Sequence, residues 1–485
     1  MLKPKESQAH IALRWLTHAS FAAFLILALA THSAHWRVGP FTWLPVLKLP
    51  ALLPARATRW GDERPMVLGI LTLIPLLLAI SWPLLRLAEL RVPAERRRWQ
   101  WGWRHISLPL AGLTLMGLIS IGWSWLAAGT LLPPLGVSDT AFQLLSLALV
   151  WATYLFLVNE TPSLTWPLAV VVAIQSLVGI AQFVHQADLG LTFLGELDLD
   201  PAISGVSVLM TDGQRWLRAY GLTGHPNLLA ALLAPLMLYL MSQAKRAGGW
   251  ERWTLLGIVG LGAVALVATA SRAAWLAFAI GLAVWLAALW TERRQAGHSD
   301  PPGNGASLKS RRSAVAAVAV VGGLALLFLA VYGQLLMTRF FDLDTSIEAR
   351  SILERERDWG IALQLIRQHP LAGVGMGGYL PEARAIDQAA RVVHNVPLLV
   401  TAELGFVAGL LWIWLTAAPF GAAIGLGKRG WQRLTPGLAP WVAIVTMGLF
   451  HGLPWINTGW RAAILMALIL GILANEISSS AARKT

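Results

Sequence analysis

Residues 394–417 decide the fold of this chain, and they read HNVPLLVTAELGFVAGLLWIWLTA. From Val396 to Ala417 the only charged residue is Glu403. The hydrocarbon core of a bilayer is about 30 Å thick, and a helix needs roughly 20 apolar residues to cross it. The segment therefore predicts a transmembrane helix. His394, with its imidazole, lies in the polar residues just before this helix.

Apolar runs of this kind recur along the whole chain of 485 residues, which is 56% hydrophobic and 13% charged, with a mean hydropathy of +0.60. A membrane β-barrel would instead show alternation over segments of about 10 residues. We therefore expect an all-α, polytopic integral membrane protein with about 12 transmembrane helices. The expected spans are 11–31, 66–85, 106–126, 140–158, 166–184, 228–241, 253–268, 273–290, 315–332, 396–417, 438–453 and 462–474. The first run is too long for the core of a signal peptide and lacks a small-residue cleavage site, so it is expected to be a retained span.

The basic residues indicate the orientation in the membrane. If the spans alternate, the loops containing 86–104, 245–252, 293–312 and 428–433 fall on one side, together with both termini, and all are rich in Lys and Arg. The positive-inside rule assigns this side to the cytoplasm. It also accounts for the net charge of +13 without nucleic acid, which is not an expected partner. The absence of cysteine excludes disulfides and thiolate chemistry.

The organisation predicted from these spans has three parts: helices 1–9 with short loops in residues 1–332, a large outer loop in residues 333–395, and helices 10–12 in residues 396–485. Within the outer loop, apolar and charged residues between Ile347 and His369 indicate an amphipathic helix lying over the membrane, which stops at Pro370. Gly373 to Gly378 then predicts a bend. No strand precedes these glycines, which excludes a dinucleotide fingerprint.

Three outer arginines are candidates for binding an anion. Arg215 and Arg218 precede a helix expected to begin after Pro226, and a helix N-terminus offers free amide donors. The alternative is that both contact lipid headgroups. Arg272 stands almost alone in a tight turn between two apolar helices. Placing an arginine at the centre of a membrane helix costs about 2.5 to 3.5 kcal/mol on insertion scales. Binding of an anion is therefore the functional interpretation of Arg272, and the alternative is that its side chain extends to water.

His394 is the candidate catalytic residue. Histidine titrates near neutrality and accepts a proton from an attacking hydroxyl while its second nitrogen is held by a partner. The alternative is a histidine that caps the helix. Glu403 would lie about 13 Å further along a continuous helix, too far to pair with it. Arg391, His225 and Asn395 are secondary candidates, although His225, like His369, precedes a proline and favours a turn or helix start.

Two Asp-Leu-Asp triplets, at 198–200 and 342–344, raise the question of a metal ion. Such triplets are common by chance, and the bidentate guanidinium of arginine suits phosphate oxygens by itself. We expect neither a metal nor a cofactor.

Four elements together resemble the O-antigen ligase and polymerase superfamily: RAYGLTGHPN (218–227), Ser271 with Arg272, HPLAGVG (369–375), and His394 followed by Gly405 eleven positions later. The pairing of Arg218 with Leu222 is similar to a recurring element of that superfamily. The resemblance implies transfer of a glycan from an undecaprenyl diphosphate carrier to an acceptor hydroxyl on the periplasmic face of the bacterial inner membrane. Arg218, Arg272 and Arg215 would bind the diphosphate, and His394 would be the general base of an inverting displacement. For a ligase, the acceptor is the lipid A core oligosaccharide.

The superfamily leaves other acceptors open. A polymerase uses another repeat unit, and a protein O-oligosaccharyltransferase uses a Ser or Thr hydroxyl; a lipid A core ligase is favoured because no added protein-acceptor module is visible. A transporter of anionic solutes is the alternative from another class. Transporters typically show internal repeats and broken helices at mid-membrane, and this chain shows no repeat.

Overall fold

A computed structural model describes residues 8–31, 73–89, 99–126, 137–211, 213–299, 305–341, 346–452, 455 and 460–482. The helices of this described part are α1 (Gln8–Ala30), α2 (Leu73–Glu89), α3 (Arg104–Leu126), α4 (Val137–Glu160), α5 (Thr165–His185), α6 (Pro226–Arg246), α7 (Gly249–Ala268), α8 (Arg272–Ser299), α9 (Gly305–Phe341), α10 (Ser346–Gln368), α11 (Tyr379–Ile386), α12 (Val396–Leu426), α13 (Lys428–Phe450) and α14 (Trp460–Ala482). Two short strands, β1 (Val208–Thr211) and β2 (Gln214–Leu217), form an antiparallel hairpin.

The predicted fold class is confirmed. Within the described part of the chain, 11 helices are long and apolar enough to cross a membrane, and they correspond to 11 of the expected spans. The remaining expected span, 66–85, begins outside the described residues, and the described helix α2 covers its second half with 17 residues. The chain is an all-α, multi-pass membrane protein.

Helices α6, α13 and α14 form the centre of the bundle. Their membrane-spanning parts are 83%, 78% and 78% buried, whereas that of α9 is only 17% buried. Helix α13 packs against α8, α6, α12 and α14. A helix that is apolar on all sides belongs in such an interior, while α9 presents most of its surface outwards. The start of α6 and the end of α13 both border the polar site described below.

The two ends of the bundle differ in the residues that they carry. The C-terminal end of α6 meets α8 through an ion pair between Lys245 and Glu292, and Arg86 contacts Glu160 at 2.6 Å, where α4 ends. The opposite end holds the start of α6, the turn between α7 and α8, the start of α12 and the end of α13. The candidate site residues described below lie around this second end.

The outer segments differ in detail from the expectation. The helix expected from Ile347 to His369 is present as α10, and it ends two residues before Pro370. The β1–β2 hairpin was not expected, although Asp212-Gly213 is a strong hairpin signal in the sequence. Helix α12 is not continuous: Gly405 has φ 81° and ψ 178°, a backbone conformation that interrupts the helix. The break lies beyond Glu403, so α12 runs without interruption from Val396 past Glu403.

Candidate functional site

Arg218 is a buried cation that holds the turn between α7 and α8. It is 3% exposed. Its Nε donates to the carbonyl of Thr269 at 2.7 Å, and its two terminal nitrogens donate to Ser207 Oγ at 2.7 Å and Asn227 Oδ1 at 2.9 Å. The amide of the next residue, Ala219, also donates to the carbonyl of Ala268 at 3.1 Å. Charge-assisted hydrogen bonds of this kind offset the cost of burying a guanidinium.

Arg272 begins α8 on the other side of the same turn. The turn is tight, with Ala270 in the left-handed region at φ 49°, and the carbonyl of Ser271 accepts from the amides of Ala274 and Trp275 at 3.1 and 3.0 Å. Arg272 is partly buried. A guanidinium beside a helix N-terminus adds to the partial positive charge of that end, so this position attracts anions.

Arg355 is a further arginine close to Arg272, and it was not among the site residues predicted from the sequence. It is partly buried on α10, on the helix face that also carries Asp358, Ala362 and Leu365, which are 1%, 0% and 1% exposed. Burial and the nearby charge of Arg272 lower the pKa of Arg355. Two guanidinium groups that repel each other gain most when an anion lies between them. The sequence signal for Arg355 was its helical spacing, because the residues three, seven and ten positions later lie on the same face of the helix and are buried.

Asp358 attaches α10 to the segment that carries His394. Its side chain is 1% exposed and contacts Arg357 at 2.9 Å, and its Oδ1 accepts from the backbone amide of Arg391 at 3.3 Å. The backbone carbonyl of Asp358 accepts from the Tyr379 hydroxyl at 3.0 Å. These contacts bring Arg355 and His394 to the same place although they are far apart in sequence.

His394 lies immediately before α12, and Asn395 fixes that position. Asn395 Oδ1 accepts from the amide of Leu398 at 3.0 Å, and its Nδ2 donates to the carbonyl of Leu449 at 3.2 Å. Asn395 is therefore the N-cap of α12 and ties it to the end of α13. Nδ1 of His394 is buried and, among the described residues, has no hydrogen-bond partner, so the partner expected for the second nitrogen is not found there.

The electrostatic environment keeps His394 neutral. Burial and the positive charge of Arg355 lower the pKa of His394 below its ordinary value of 6.5; Arg391 acts in the same direction, and Asp358 and Glu354 oppose it. A buried imidazole surrounded by more positive than negative charge favours its uncharged form. At neutral pH the ring is therefore in the form that accepts a proton.

A second histidine, His451, faces His394. The two ring centroids are 5.5 Å apart with an interplanar angle of 86°, an edge-to-face arrangement. Burial, His394 and Arg355 together lower the pKa of His451 to about 3. His451 follows the last residue of α13, and nothing in its local sequence marks it as part of a site.

The glycines of two motifs allow the outer loop to dock against α12. The amides of Val374 and Gly375 donate to the carbonyls of Ala402 and Glu403, both at 2.9 Å, and the amide of Phe406 donates to the carbonyl of Pro370 at 2.8 Å. A Cβ atom on Gly405 would lie 2.5 Å from the carbonyl carbon of Leu371. Only glycine permits this approach of two backbones. The HPLAGVG segment thus packs directly against the break in α12 at Gly405.

The other predicted candidates lie apart from this cluster or have structural contacts. Arg215 is exposed on β2 and donates to the carbonyls of Pro201 and Ile203, the latter at 3.2 Å. Arg391 is exposed and contacts Glu354 at 3.5 Å. His225 is the N-cap of α6, with Nδ1 accepting from the amide of Asn227 at 3.1 Å. Glu403 accepts from Trp455 Nε1 at 2.8 Å.

Of the two Asp-Leu-Asp triplets, the structure describes the first. Asp200 Oδ1 accepts from the amide of Ala202 at 2.7 Å, which is the contact of a turn. The triplet 342–344 lies outside the described residues. Among the residues that are described, no group of three or more His, Cys, Asp or Glu side chains is placed to hold a metal ion.

The fold and the site define a polytopic membrane protein with a cluster of arginines and histidines at one end of its helical bundle. Residues 257–413 match the O-antigen ligase family. This match covers less than half of the chain and agrees with the superfamily that its motifs predicted. No curated protein sequence matched the chain significantly. The matched region contains Arg272, Arg355 and His394, whereas Arg218 and His451 lie outside it.

Proposed function

We propose that this protein transfers a glycan from undecaprenyl diphosphate to a hydroxyl of the lipid A core oligosaccharide. The observation that carries the proposal is the meeting of two repelling guanidinium groups, those of Arg272 and Arg355, with the neutral imidazole of His394. The first feature attracts a polyanion, and the second accepts a proton. Transfer from a diphosphate carrier to a hydroxyl requires both.

The diphosphate leaves with increasing negative charge as the glycosidic bond breaks. Arg272, at the N-terminus of α8, and Arg355 stabilise that charge in a partly buried site, where electrostatic interactions are stronger than in water. Arg218 supports them from beneath, since it binds Thr269 in the turn that presents Arg272. We keep Arg218 and Arg215 as diphosphate-binding candidates, with Arg215 at the exposed rim.

The acceptor hydroxyl attacks the anomeric carbon from the face opposite the diphosphate. The new glycosidic bond forms as the bond to the diphosphate oxygen breaks, and the hydroxyl proton passes to His394. A single displacement of this kind inverts the anomeric centre and needs no covalent enzyme intermediate. General bases contribute about 10²- to 10⁴-fold to such reactions. Arg391 and Asn395 position the segment that carries His394.

The proposed location is the periplasmic face of the bacterial inner membrane, with both termini in the cytoplasm. The end of the bundle that holds Lys245 and Arg246 is rich in basic residues along the sequence and suits the cytoplasmic side. The polyprenyl tail of the donor then remains in the bilayer against outward-facing apolar side chains, while its diphosphate reaches the site. The partners of this reaction are the lipid-linked donor, the core oligosaccharide and the bilayer.

The test is reconstitution of the purified protein with an undecaprenyl-diphosphate-linked glycan and lipid A core acceptor. His394→Ala is expected to abolish transfer while donor binding is retained, and Arg272→Gln is expected to weaken donor binding. His185→Ala is the matched control, because it removes another imidazole, exposed at the end of α5, that has no role in the proposed reaction. Full transfer by His394→Ala would refute the proposed base.

Lipopolysaccharide from a deletion strain separates the acceptors. Loss of long chains with accumulation of lipid-linked polymer supports the ligase. A single short repeat on every core identifies a polymerase instead, and unchanged lipopolysaccharide with unglycosylated secreted proteins identifies a protein-directed enzyme.

A further inference from the structure

The end of α13 and the residues after it contact α12 and the residues just before it at three points. The carbonyl of Leu449 accepts from Asn395 Nδ2 at 3.2 Å, and the ring of His451 meets that of His394 at 5.5 Å. Trp455 Nε1 then donates to Glu403 at 2.8 Å. Among the described residues of this segment, His451 is the one whose ring packs against the proposed base.

Trp455 fixes the far end of the segment. It is 1% exposed, and besides its hydrogen bond to Glu403 its ring packs edge-to-face on Trp412, with centroids 5.8 Å apart and an angle of 89°. Glu403 is itself fully buried at 0% exposure. A hydrogen bond between a buried carboxylate and a buried indole is costly to break, because the carboxylate loses a donor that water cannot replace. Leu449 and Trp455, which lie on either side of His451 in the sequence, are therefore both held against α12 or its N-cap.

We propose that His451 is a positioning residue for His394: its anchored ring packs against the imidazole of His394 and holds it in the orientation required to accept the acceptor's proton. This inference rests on the proposed function and adds a residue outside the region that matches the family. It explains why His394 keeps a defined place without a hydrogen bond from its Nδ1 to the described residues. An edge-to-face ring contact supplies the orientation that such a bond supplies elsewhere.

The charge state of His451 is consistent with this role. Its pKa of about 3 keeps the ring uncharged across the physiological range, so it neither repels a protonated His394 nor titrates with it. A neutral, flat ring is what the contact requires. Phenylalanine satisfies that requirement and alanine does not.

The experiment compares His451→Ala and His451→Phe in the reconstituted transfer assay. His451→Ala is expected to lower kcat by about 10- to 100-fold with little change in the KM for donor, since misplacement of a catalytic group by about 1 Å costs up to about 100-fold. His451→Phe is expected to recover most of the lost kcat. Trp455→Phe, which keeps the ring but removes the donor to Glu403, is expected to lower kcat in the same sense.

The outcomes separate the two proposals. A parental kcat for His451→Ala, or equal loss in His451→Ala and His451→Phe, overturns the positioning role while leaving the proposed reaction intact. Transfer that survives His394→Ala overturns the proposed base and with it this inference. If His451→Ala does not fold, the comparison of His451→Phe with Trp455→Phe decides: loss in the first without loss in the second contradicts the positioning role.

Discussion

The substitution Gly405→Ala tests whether the break in α12 builds the site. Gly405 lies at φ 81° and ψ 178°, a region that is essentially restricted to glycine and costs about 1–3 kcal/mol for other residues. The added methyl carbon would also lie 2.5 Å from the carbonyl carbon of Leu371, so the loop must move away. That movement breaks at least the 2.8 Å hydrogen bond from the amide of Phe406 to the carbonyl of Pro370, worth about 1 kcal/mol.

The sum of these contributions is a destabilisation of about 2–4 kcal/mol. The chain contains 25 tryptophans, so intrinsic fluorescence of the purified protein in detergent reports unfolding during a thermal ramp. We expect a clearly lower Tm for Gly405→Ala. We also expect a loss of transfer activity, because the loop that docks at Gly405 connects α10, with Arg355, to α12, with His394.

The matched control is Gly421→Ala in the same helix. A Cβ atom there meets nothing within 4 Å, and the backbone is helical. Alanine is favoured over glycine in a helix by about 0.5–1 kcal/mol, so this variant is expected to keep or slightly raise the Tm. If Gly405→Ala melted together with Gly421→Ala and retained full activity, the argument that the two backbones require a glycine here would be refuted.

Four further predictions concern the charged groups of the site. Because the pKa of His394 is lowered by burial and by Arg355, transfer activity is expected to stay level as pH falls through 6.5 and to decline only at lower pH, where the base becomes protonated; a decline centred above 6.5 would contradict this. Arg355→Met is expected to raise the pKa of His394 and move that decline to higher pH, and Glu354→Gln is expected to move it to lower pH, so a shift of both variants in one direction in normalised pH profiles would refute the electrostatic account. Arg272→Lys keeps the charge but loses bidentate geometry, so donor binding in a titration is expected to weaken without being abolished, less than in Arg272→Gln. Arg218→Ala leaves the buried carbonyl of Thr269 without its donor, a cost of about 1–3 kcal/mol that a lower Tm would reveal.

Several features of the site were predictable because they depend on local sequence. The caps of α6 and α12 follow from His225-Pro226 and from Asn395 before an apolar run. Arg272 stood out because an isolated charge between apolar helices is costly. The partner of Glu403 was not predictable in this way, because it accepts a hydrogen bond from Trp455 Nε1, a residue distant in the sequence.

The sequence by itself determined that this is a multi-pass, all-helical membrane protein and which superfamily it resembles, since the length of an apolar run and the order of short motifs are properties of neighbouring residues. Only the tertiary structure decided which groups surround His394. Arg355 reaches it because α10 is attached through Asp358 and through the backbone contacts of the outer loop with α12, and His451 reaches it because Trp455 and Asn395 hold the end of α13 against that helix. Contacts between residues so distant in sequence depend on how whole helices pack, and no local pattern encodes that packing.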